Sequence, residues 1–436
     1  MDVREINNLL SRGEIDRPGL MPHLAELEAK TLRFRFEFGL DELPVQPGLI
    51  TIRGPRQYGK STWLERECVN TIRKFGKGSA CYLNGDEIVS PEHFGESLLE
   101  VGQLYPAGTQ VRRLFIDEVT AVYGWEKVIK KILDRGHLRD VLIVTTGSRA
   151  ADLRHGSERL PGRKGKLAKS EYLFLPVSYR QFHAQTSDKP GPKTWIAYLL
   201  TGGSPVALNE MHQSGRLPEY FIQSIRDWIF GEIVSSGRSR IALSNLLAIL
   251  FKQGGKPVGF AKLARESGMA NNTVAAGYIE QLGDLMCVLP AWPVDGNNFL
   301  PQLRKPSKFN FINLAAVVAL HPAGIRAVSD WEALSEEEQA VFLEWGIAQE
   351  IWRRSVLAGV ENPEAIHFWQ SKEHEIDFFT PAGEFVEVKR GASGPMDFAW
   401  FPKIFPKKKL NVVCATPFKS SAVEGIALED FFLKDR

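Results

Sequence analysis

Short apolar runs alternate with amphipathic helical stretches between residues 49 and 176. The runs predict five strands, with the sequences LITIR, SACYLNGD, RRLFIDE, DVLIVTTGS and EYLFLP. Strands that alternate with helices form a parallel sheet covered by helices on both faces, and such sheets bind ligands at the carboxyl ends of their strands. The pattern therefore predicts an α/β fold here, preceded by a charged helical lead-in over residues 1–45.

The pattern becomes mostly helical after this region. Residues 177–235 predict a small helical lid, and residues 243–293 then follow the order of a winged helix-turn-helix. The predicted recognition helix, NNTVAAGYIEQLGDL, contains no Lys or Arg. Because contacts to phosphates supply most non-specific affinity for DNA, this helix favours a role in packing or assembly over direct base reading.

A linker, PVDGNNFLPQLRKPSK, precedes a third predicted domain. In that domain a long helix is followed by the predicted strands AIHFWQSK, HEIDFFTPAG and EFVEVKRG, then by a helix and the strand LNVVCAT. Helix, three strands, helix and strand is the core order of the restriction-endonuclease-like fold. We therefore predict three domains, at residues 1–235, 236–300 and 301–436.

Composition narrows the class of protein without selecting a partner. With 436 residues, 44% apolar and 24% charged, the chain is long enough for two or three globular domains. A formal net charge of +2 means that any surface for a polyanion must be local. The four cysteines have no paired spacing, which excludes a zinc ribbon and fits a reducing cytoplasm. We predict neither a signal peptide nor a membrane span, and hence a cytoplasmic protein.

The first predicted strand leads directly into GPRQYGKST, residues 54–62, which has the spacing of a phosphate-binding loop. Its glycines allow a tight turn that directs backbone N–H groups at a polyphosphate, and the following helix adds its positive dipole end. Lys60 is expected to reach the β- and γ-phosphates, and the Ser61 hydroxyl to ligate Mg²⁺. The predicted nucleotide-binding residues are Gly54, Pro55, Arg56, Gln57, Tyr58, Gly59, Lys60, Ser61, Thr62 and Asp117. A glycine-rich turn with a chance lysine is the alternative.

Asp117 and Glu118, at the end of the run RLFIDEV, are a second signal of nucleotide hydrolysis. Asp117 is expected to join the Mg²⁺ shell, and Glu118 to take a proton from the attacking water. The alternative is a strand end that meets solvent. Thr145, Thr146 and Ser148 end the next predicted strand, where they would either sense the γ-phosphate or cap the following turn.

A basic stretch, SRAADLRHGSERLPGRKGKLAKS, lies between the last two predicted strands. It is interpreted either as a solvated loop or as the source of an arginine finger, in which Arg159 or Arg163 reaches a γ-phosphate. Arg163 is therefore a candidate catalytic residue. A finger that acts on a neighbouring subunit would require a homo-oligomer.

Asp377, Glu387 and Lys389 form a second candidate catalytic site in the third predicted domain. Glu387 and Lys389 share one face of a strand, because strand side chains alternate, and Asp377 lies on the preceding strand. Asp377 and Glu387 are predicted to hold one or two Mg²⁺, and Lys389 to orient the attacking water. A helical glutamate, Glu344 or Glu350, would complete the metal shell. The pattern is PD-(D/E)xK, and a structural carboxylate–lysine pair is the alternative.

These motifs occur in an order that resembles a widespread bacterial and archaeal family of AAA-type ATPases. In that family a P-loop domain and a winged helix precede a C-terminal domain of unknown function that is similar to an endonuclease fold. The segments that carry the resemblance are GPRQYGKST, LFIDEV, TTGS, LPGR before LPVSYRQF, TGGSP, HEIDFF and VEVKRG. The resemblance implies ATP as the nucleotide and nuclease-like roles for the three C-terminal residues. It implies ATPase roles for Lys60, Ser61, Asp117 and Glu118.

Two functions remain open from the sequence. In the first, ATP hydrolysis drives a change that licenses a metal-dependent nuclease acting on nucleic acid, with DNA as the expected partner, in defence or repair. In the second, the chain is an ATP-gated switch or scaffold whose C-terminal domain binds but does not cut. The low net charge and the neutral recognition helix favour the second.

Overall fold

The computed structural model describes residues 3–148, 153, 156, 160, 162, 163, 165–186 and 194–434. The chain forms two compact units, Met1–Leu175 and Pro176–Arg436. Each unit has its own β-sheet.

The first unit is built on a parallel sheet. Its helices are α1 (Val3–Arg12), α2 (Pro22–Ala29), α3 (Lys60–Phe75), α4 (Pro91–Gln103) and α5 (Trp125–Asp134). Its strands are β1 (Gly48–Arg53), β2 (Ala80–Asn84), β3 (Arg113–Asp117), β4 (Leu142–Gly147) and β5 (Glu171–Leu173). All five strands pair in parallel, in the order β2-β3-β4-β1-β5. This is the α/β fold that the alternating pattern predicts.

The order of the strands places a crevice at the end of β1. β1 leads to β2 at one edge, whereas the chain leaving β4 leads to β5 at the other edge. Ligands of open α/β sheets bind where neighbouring strands send their connections in opposite directions. Every residue of β3 and β4 is buried, as expected for strands covered on both faces.

The lead-in before β1 is less helical than predicted. Residues 30–47 contain no helix or strand. Aromatic side chains at alternate positions explain the difference, because period-two spacing does not place them on one helix face. The Phe38 ring lies 5.2 Å from the Trp63 ring and 4.9 Å from the Phe174 ring, so this segment is an extended cover over the start of α3.

The second unit combines helices with a larger sheet. Its helices are α6 (Tyr179–Thr186), α7 (Thr194–Thr201), α8 (Pro205–Ser214), α9 (Glu219–Ser235), α10 (Arg240–Lys252), α11 (Phe260–Ser267), α12 (Asn272–Asp284), α13 (Leu314–Leu320), α14 (Val328–Glu332), α15 (Glu336–Leu357), α16 (Phe401–Ile404) and α17 (Leu428–Leu433). Its strands are β6 (Val288–Ala291), β7 (Pro293–Val294), β8 (Lys308–Phe311), β9 (His367–Gln370), β10 (Glu375–Phe379), β11 (Phe385–Val388), β12 (Leu410–Cys414), β13 (Phe418–Lys419) and β14 (Val423–Ala427).

Seven of these strands form one mixed sheet, in the order β13-β14-β12-β11-β10-β9-β7. β9, β10 and β11 are antiparallel neighbours, and β11, β12 and β14 run parallel. β6 and β8 form a separate antiparallel pair after the helices α10 to α12. The long helix α15 contacts both β8 and β11. Its start is fixed by a capping box, in which Ser335 and Glu338 exchange hydrogen bonds.

The predicted domain limits at 235/236 and 300/301 both lie inside the second unit. α9 packs against α10 and α13, which continues the core across the first of these limits. The segment predicted as a linker contains β7, which pairs with β9, and ends at β8, which pairs with β6. In the described part of the chain, no helix combines the length and the hydropathy needed to cross a bilayer.

Candidate functional site

The predicted phosphate loop connects the last residue of β1 to Lys60, the first residue of α3. Gly59 has a φ of +93° immediately before the helix, a conformation that side chains disfavour. At Gly54, an added Cβ would lie 2.6 Å from the Cβ of Phe174. Both glycines are therefore required by the shape of the turn.

Lys60 is held by the main chain of its own loop. Its Nζ donates hydrogen bonds of 2.8 Å to the carbonyl oxygens of both Gly54 and Pro55. Burial lowers the pKa of Lys60 to about 8, although the charges of Glu118 and Asp117 favour the ammonium form. The Lys60 charge thus lies inside the loop, bonded to neutral acceptors that a phosphate oxygen can replace.

The other predicted loop residues line a short turn with mixed exposure. Pro55 and Tyr58 are buried, Arg56 is exposed, and Gln57, Ser61 and Thr62 are partly buried. The hydroxyl groups of the last two are at the amino end of α3, where backbone N–H groups lack helical acceptors.

Asp117, the last residue of β3, is oriented by its neighbour strand. The Thr146 hydroxyl at the end of β4 donates to Asp117 Oδ1, and the Glu118 N–H donates to the same oxygen at 3.1 Å. Among the described residues, the other oxygen, Oδ2, accepts a single long contact of 3.4 Å, from the Tyr82 hydroxyl. Asp117 therefore keeps an oxygen available for a further ligand.

Glu118 is fixed by three donors. Its Oε1 accepts hydrogen bonds from the Thr120 hydroxyl at 2.6 Å, the Ser148 N–H at 2.8 Å and the Ser148 hydroxyl at 3.0 Å. Its backbone is left-handed, with a φ of +46°, which is uncommon for a residue with a side chain. Thr146 and Ser148 therefore hydrogen-bond to the acidic pair, Asp117 and Glu118. The sequence alone left open whether these hydroxyls sense a γ-phosphate or cap the following turn.

Ser61 and Asp117 fit a magnesium ion. Both supply hard oxygen donors, the ligand type that Mg²⁺ prefers, and Oδ2 of Asp117 has spare acceptor capacity. These residues would hold Mg²⁺ beside the phosphates.

His23 and Glu65 lie behind this site and were not predicted from the sequence. Glu65 of α3 accepts from the Leu24 N–H at 2.8 Å and lies 2.6 Å from His23 Nδ1. The hydrogen bond to Glu65 and the charges of Glu65 and Asp117 raise the pKa of His23. A glutamate within the first turns of the helix after the loop was the available signal, but a lone histidine in the lead-in has no motif.

Arg163 forms a bidentate ion pair with Asp134, at the end of α5. Its Nε lies 3.0 Å from Oδ1 of Asp134, and a terminal nitrogen lies 3.1 Å from Oδ2. Both groups are partly exposed, and such pairs add little stability. The finger role of Arg163 stays a prediction. Arg159, the other candidate, lies outside the described residues.

In the second unit, Asp377 on β10 and Glu387 on β11 are directly linked. Oδ2 of Asp377 accepts from the Val388 N–H at 2.9 Å, and Oε2 of Glu387 accepts from the Asp377 N–H at 3.1 Å. Lys389 Nζ donates to Oε1 of Glu387 at 2.6 Å. The three predicted residues therefore do come together.

Lys308, the first residue of β8, also joins this group and was not predicted. Its Nζ lies 2.5 Å from Oε1 of Glu375 and 3.3 Å from Oδ1 of Asp377. Burial lowers the pKa of Lys308, but the charges of Asp377, Glu344 and Glu375 outweigh burial and raise it above its usual value. Lys308 is the last residue of the segment interpreted as a linker, so no pattern in the sequence predicts its position here.

The helical glutamate of this group is Glu344. Burial and the nearby charge of Asp377 raise the pKa of Glu344, and the same two causes raise the pKa of Glu387. Glu350 instead accepts from Arg353 and Arg354, with nitrogen–oxygen distances of 2.7 Å in both pairs. Of the two glutamates that the sequence left open, Glu344 is therefore the one that lies near Asp377.

An acid–lysine cluster is formed by Asp377, Glu387, Lys389, Lys308, Glu344 and Glu375, and its lysines bond both predicted metal ligands. All four carboxylate oxygens of the two predicted ligands already accept hydrogen bonds or ion-pair contacts from the chain. Among the residues that the structure describes, no three His, Cys, Asp or Glu side chains are grouped closely enough to hold a metal ion. The metal role of Asp377 and Glu387 stays a prediction.

Several solved structures are similar to this chain at low sequence identity. The Walker-type ATPase PABY2304 of Pyrococcus abyssi is 13% identical, with 70% of this chain and 95% of that chain covered and a TM-score of 0.42. ORC1 of Aeropyrum pernix, solved in complex with DNA, is 15% identical, with 73% and 91% covered and a TM-score of 0.31. AMPPCP-bound DnaA of Aquifex aeolicus is 15% identical, with 54% and 81% covered and a TM-score of 0.26.

A search of curated proteins finds no match to this sequence. A comparison with models of sequence families does find one. The profile of the family described as AAA domain matches residues 46–183, which include the phosphate loop, Asp117 and Glu118. Because the matched segment places the loop and the acidic pair on a parallel five-stranded sheet, the chain contains an AAA-type P-loop ATPase domain at residues 46–183.

Proposed function

We propose that the first unit binds ATP with Mg²⁺ and hydrolyses it. We further propose that the second unit responds to the nucleotide state by binding nucleic acid and does not cut it. The observation that carries the ATPase part is the position of Glu118, whose carboxylate is fixed by Thr120 and Ser148 beside Asp117 and the loop.

Each residue of the loop site has a chemical task in this proposal. Lys60 exchanges its two carbonyl acceptors for phosphate oxygens, and its ammonium offsets the charge that develops on the transferred group. Glu118 orients the attacking water and accepts its proton. When bound, Mg²⁺ neutralises phosphate charge, with Ser61 and Asp117 as its protein donors.

The ATPase proposal is tested by turnover in the full chain. Lys60→Ala removes the ammonium that contacts the phosphates, and we expect hydrolysis to fall by about 100-fold or more. Lys127→Ala, at an exposed position on α5, is the matched control and should hydrolyse ATP like the wild type. Equal turnover in the two variants would rule the proposed site out.

The finger prediction has its own test. Arg163→Ala should spare ATP affinity and sharply lower turnover if the guanidinium leaves Asp134 and reaches a γ-phosphate. Asp134→Ala is the control, because it frees Arg163 from its ion pair without removing the cation. If turnover in Arg163→Ala equals that of the wild type, Arg163 has no catalytic role.

The winged-helix and restriction-endonuclease-like assignments within the second unit are part of this proposal. The helices α10 to α12 followed by the β6–β8 pair support the first. The order of α15, β9, β10, β11, α16 and β12 supports the second. Fold similarity alone does not fix an activity, so the chemistry of the cluster must decide between cutting and binding.

The acid–lysine cluster favours binding over cutting. A nuclease of this type needs carboxylate oxygens that face a metal ion, whereas the buried Lys308 ammonium, which is not part of the nuclease pattern, contacts Oδ1 of Asp377. The test is cleavage of single- and double-stranded DNA by the wild type and by Lys389→Ala, with Mg²⁺ or Mn²⁺ and with or without ATP. We expect no cleavage alongside normal ATP hydrolysis. Metal-dependent cleavage that Lys389→Ala abolishes would establish the nuclease instead.

A basic loop near the end of the same sheet supports the nucleic-acid part. Lys403, Lys407 and Lys409 are exposed around the end of α16. Trp400 stacks on His374 with ring centroids 4.1 Å apart. Cationic side chains beside aromatic rings are typical of surfaces for single strands. Charge reversal at Lys407 and Lys409 should weaken binding of a labelled single strand, whereas reversal at Lys127 should not.

A further inference from the structure

Lys308 carries a positive charge into the acid–lysine cluster from another sheet. It belongs to β8, which pairs with β6, whereas Glu375 and Asp377 belong to β10 of the seven-stranded sheet. The Lys308 side chain is only 3% exposed. Its Nζ also lies 5.2 Å from the centre of the Phe368 ring. Lysine is rarely buried to this degree unless it is paired.

The donors around Asp377 and Glu387 place a lysine ammonium beside each of the two carboxylates, where a divalent cation would have to bind. Asp377 is bonded by Lys308 on Oδ1 and by the Val388 N–H on Oδ2. Glu387 is bonded by Lys389 on Oε1 and by the Asp377 N–H on Oε2. A magnesium ion needs near-octahedral oxygens at about 2.1 Å. An ion on Oδ1 of Asp377 would therefore lie against the Lys308 ammonium, and like charges at that distance repel strongly in a buried site.

We infer that Lys308 is a built-in counter-ion that takes the place of a divalent cation in the acid–lysine cluster. This inference deepens the proposed non-cutting role of the second unit and rests on it. The ion pairs of Lys308 with Glu375 and Asp377 then link the β6–β8 pair to the large sheet, because the cation and its carboxylates come from different sheets. The chain supplies a fixed ammonium where a nuclease would recruit an exchangeable ion.

The two lysines of the cluster differ in this respect. The Lys389 side chain is 47% exposed, so it can move away from Glu387 into water, whereas Lys308 has no such path. Removing the charge of Lys308, and not that of Lys389, is therefore the change that should create a metal site.

The test is Mn²⁺ binding to the full-length chain without nucleotide, followed by the paramagnetic resonance signal of free Mn²⁺. We expect the wild type and its Asp377→Asn variant to give the same titration. Lys308→Met, which keeps the length of the side chain and removes its charge, should bind one Mn²⁺ at least about 100-fold more tightly. Lys305→Met, at an exposed site on the same segment, is the control and should behave like the wild type.

Two outcomes would overturn the inference. One is Mn²⁺ binding by the wild type that Asp377→Asn removes, because the metal site would then exist beside Lys308. The other is a folded Lys308→Met that gains no Mn²⁺ affinity. If Lys308→Met does not fold, Lys308→Gln, which retains hydrogen bonding, takes its place. ATP turnover of each preparation is measured in parallel. If the wild type does not hydrolyse ATP, the proposed ATPase activity is rejected, and the Mn²⁺ result still stands.

Discussion

The loop site of the first unit and the acid–lysine cluster of the second use the same kinds of side chain in opposite ways. Lys60 donates to main-chain carbonyls, while Asp117 and Glu118 accept from hydroxyls and N–H groups. In the cluster, lysines donate directly to carboxylates. The first arrangement keeps its charges separate, whereas the second pairs lysines with carboxylates. A paired carboxylate attracts a further cation less strongly, whereas separated charges are ready for phosphate and metal.

The largest expected effect that sharpens this comparison is at Glu118. Glu118→Gln keeps the shape of the side chain and removes the base, so hydrolysis should fall by about 10²–10⁴-fold while ATP affinity changes little. Single-turnover hydrolysis and equilibrium ATP binding measure the two quantities. Glu92→Gln, at an exposed position on α4, is the control. A fall in affinity as large as the fall in rate would show that Glu118 serves binding.

The next effect concerns the stability that the cluster supplies. Lys308→Met leaves Glu375 and Asp377 without their buried cation, and loss of one partner of a buried pair costs about 3–5 kcal/mol. Lys389→Met should cost less than Lys308→Met, because the Lys389 ammonium is half-exposed and its interaction with Glu387 is partly screened by water. Denaturant unfolding of the second unit gives both free energies. Equal losses would contradict the difference between the two lysines.

The smallest effect is a pH dependence of ATP affinity. The free protein loses the Lys60 proton as the pH rises through about 8, and phosphate binding needs the ammonium form. Affinity should therefore be constant below pH 8 and fall by up to about tenfold per pH unit above it. Fluorescence titration with a labelled ATP analogue between pH 7 and 9.5 measures this. Lys60→Arg stays protonated and should give a flat profile.

The parallel sheet and the residues of the loop site could be predicted because their signals are local. Buried strands appear as continuous apolar runs, and the loop spacing includes Gly59, whose backbone conformation requires glycine. Asp117 and Glu118 follow such a run directly. The roles of Thr146 and Ser148 could not be assigned, because hydroxyls at a strand end suit either a ligand or a neighbouring carboxylate until the register of β3 and β4 is known.

The cluster was only partly predictable for a different reason. Asp377 and Glu387 lie on adjacent strands, Lys389 directly follows the second of them, and side-chain alternation brings the three together. Lys308 reaches the same place from the β6–β8 pair, a contact over a long sequence separation that no periodicity encodes. Its segment, rich in Pro and Asn, has the composition of a loop. The partner of a buried carboxylate, here Lys308, is therefore harder to predict from a sequence than the carboxylate itself.

The two short strands β7 and β8 make the second unit difficult to divide or recombine. β7 covers the edge of β9, and β8 completes the pair with β6, although the two strands are consecutive in the chain and joined by residues 295–307. A chain shortened to start at residue 301 would lose β7 and leave the β9 edge open to pairing with other molecules. The same cut would remove the β6 partner of β8. In evolution, the helical and sheet portions of this unit are therefore expected to be inherited as one piece and exchanged between proteins together.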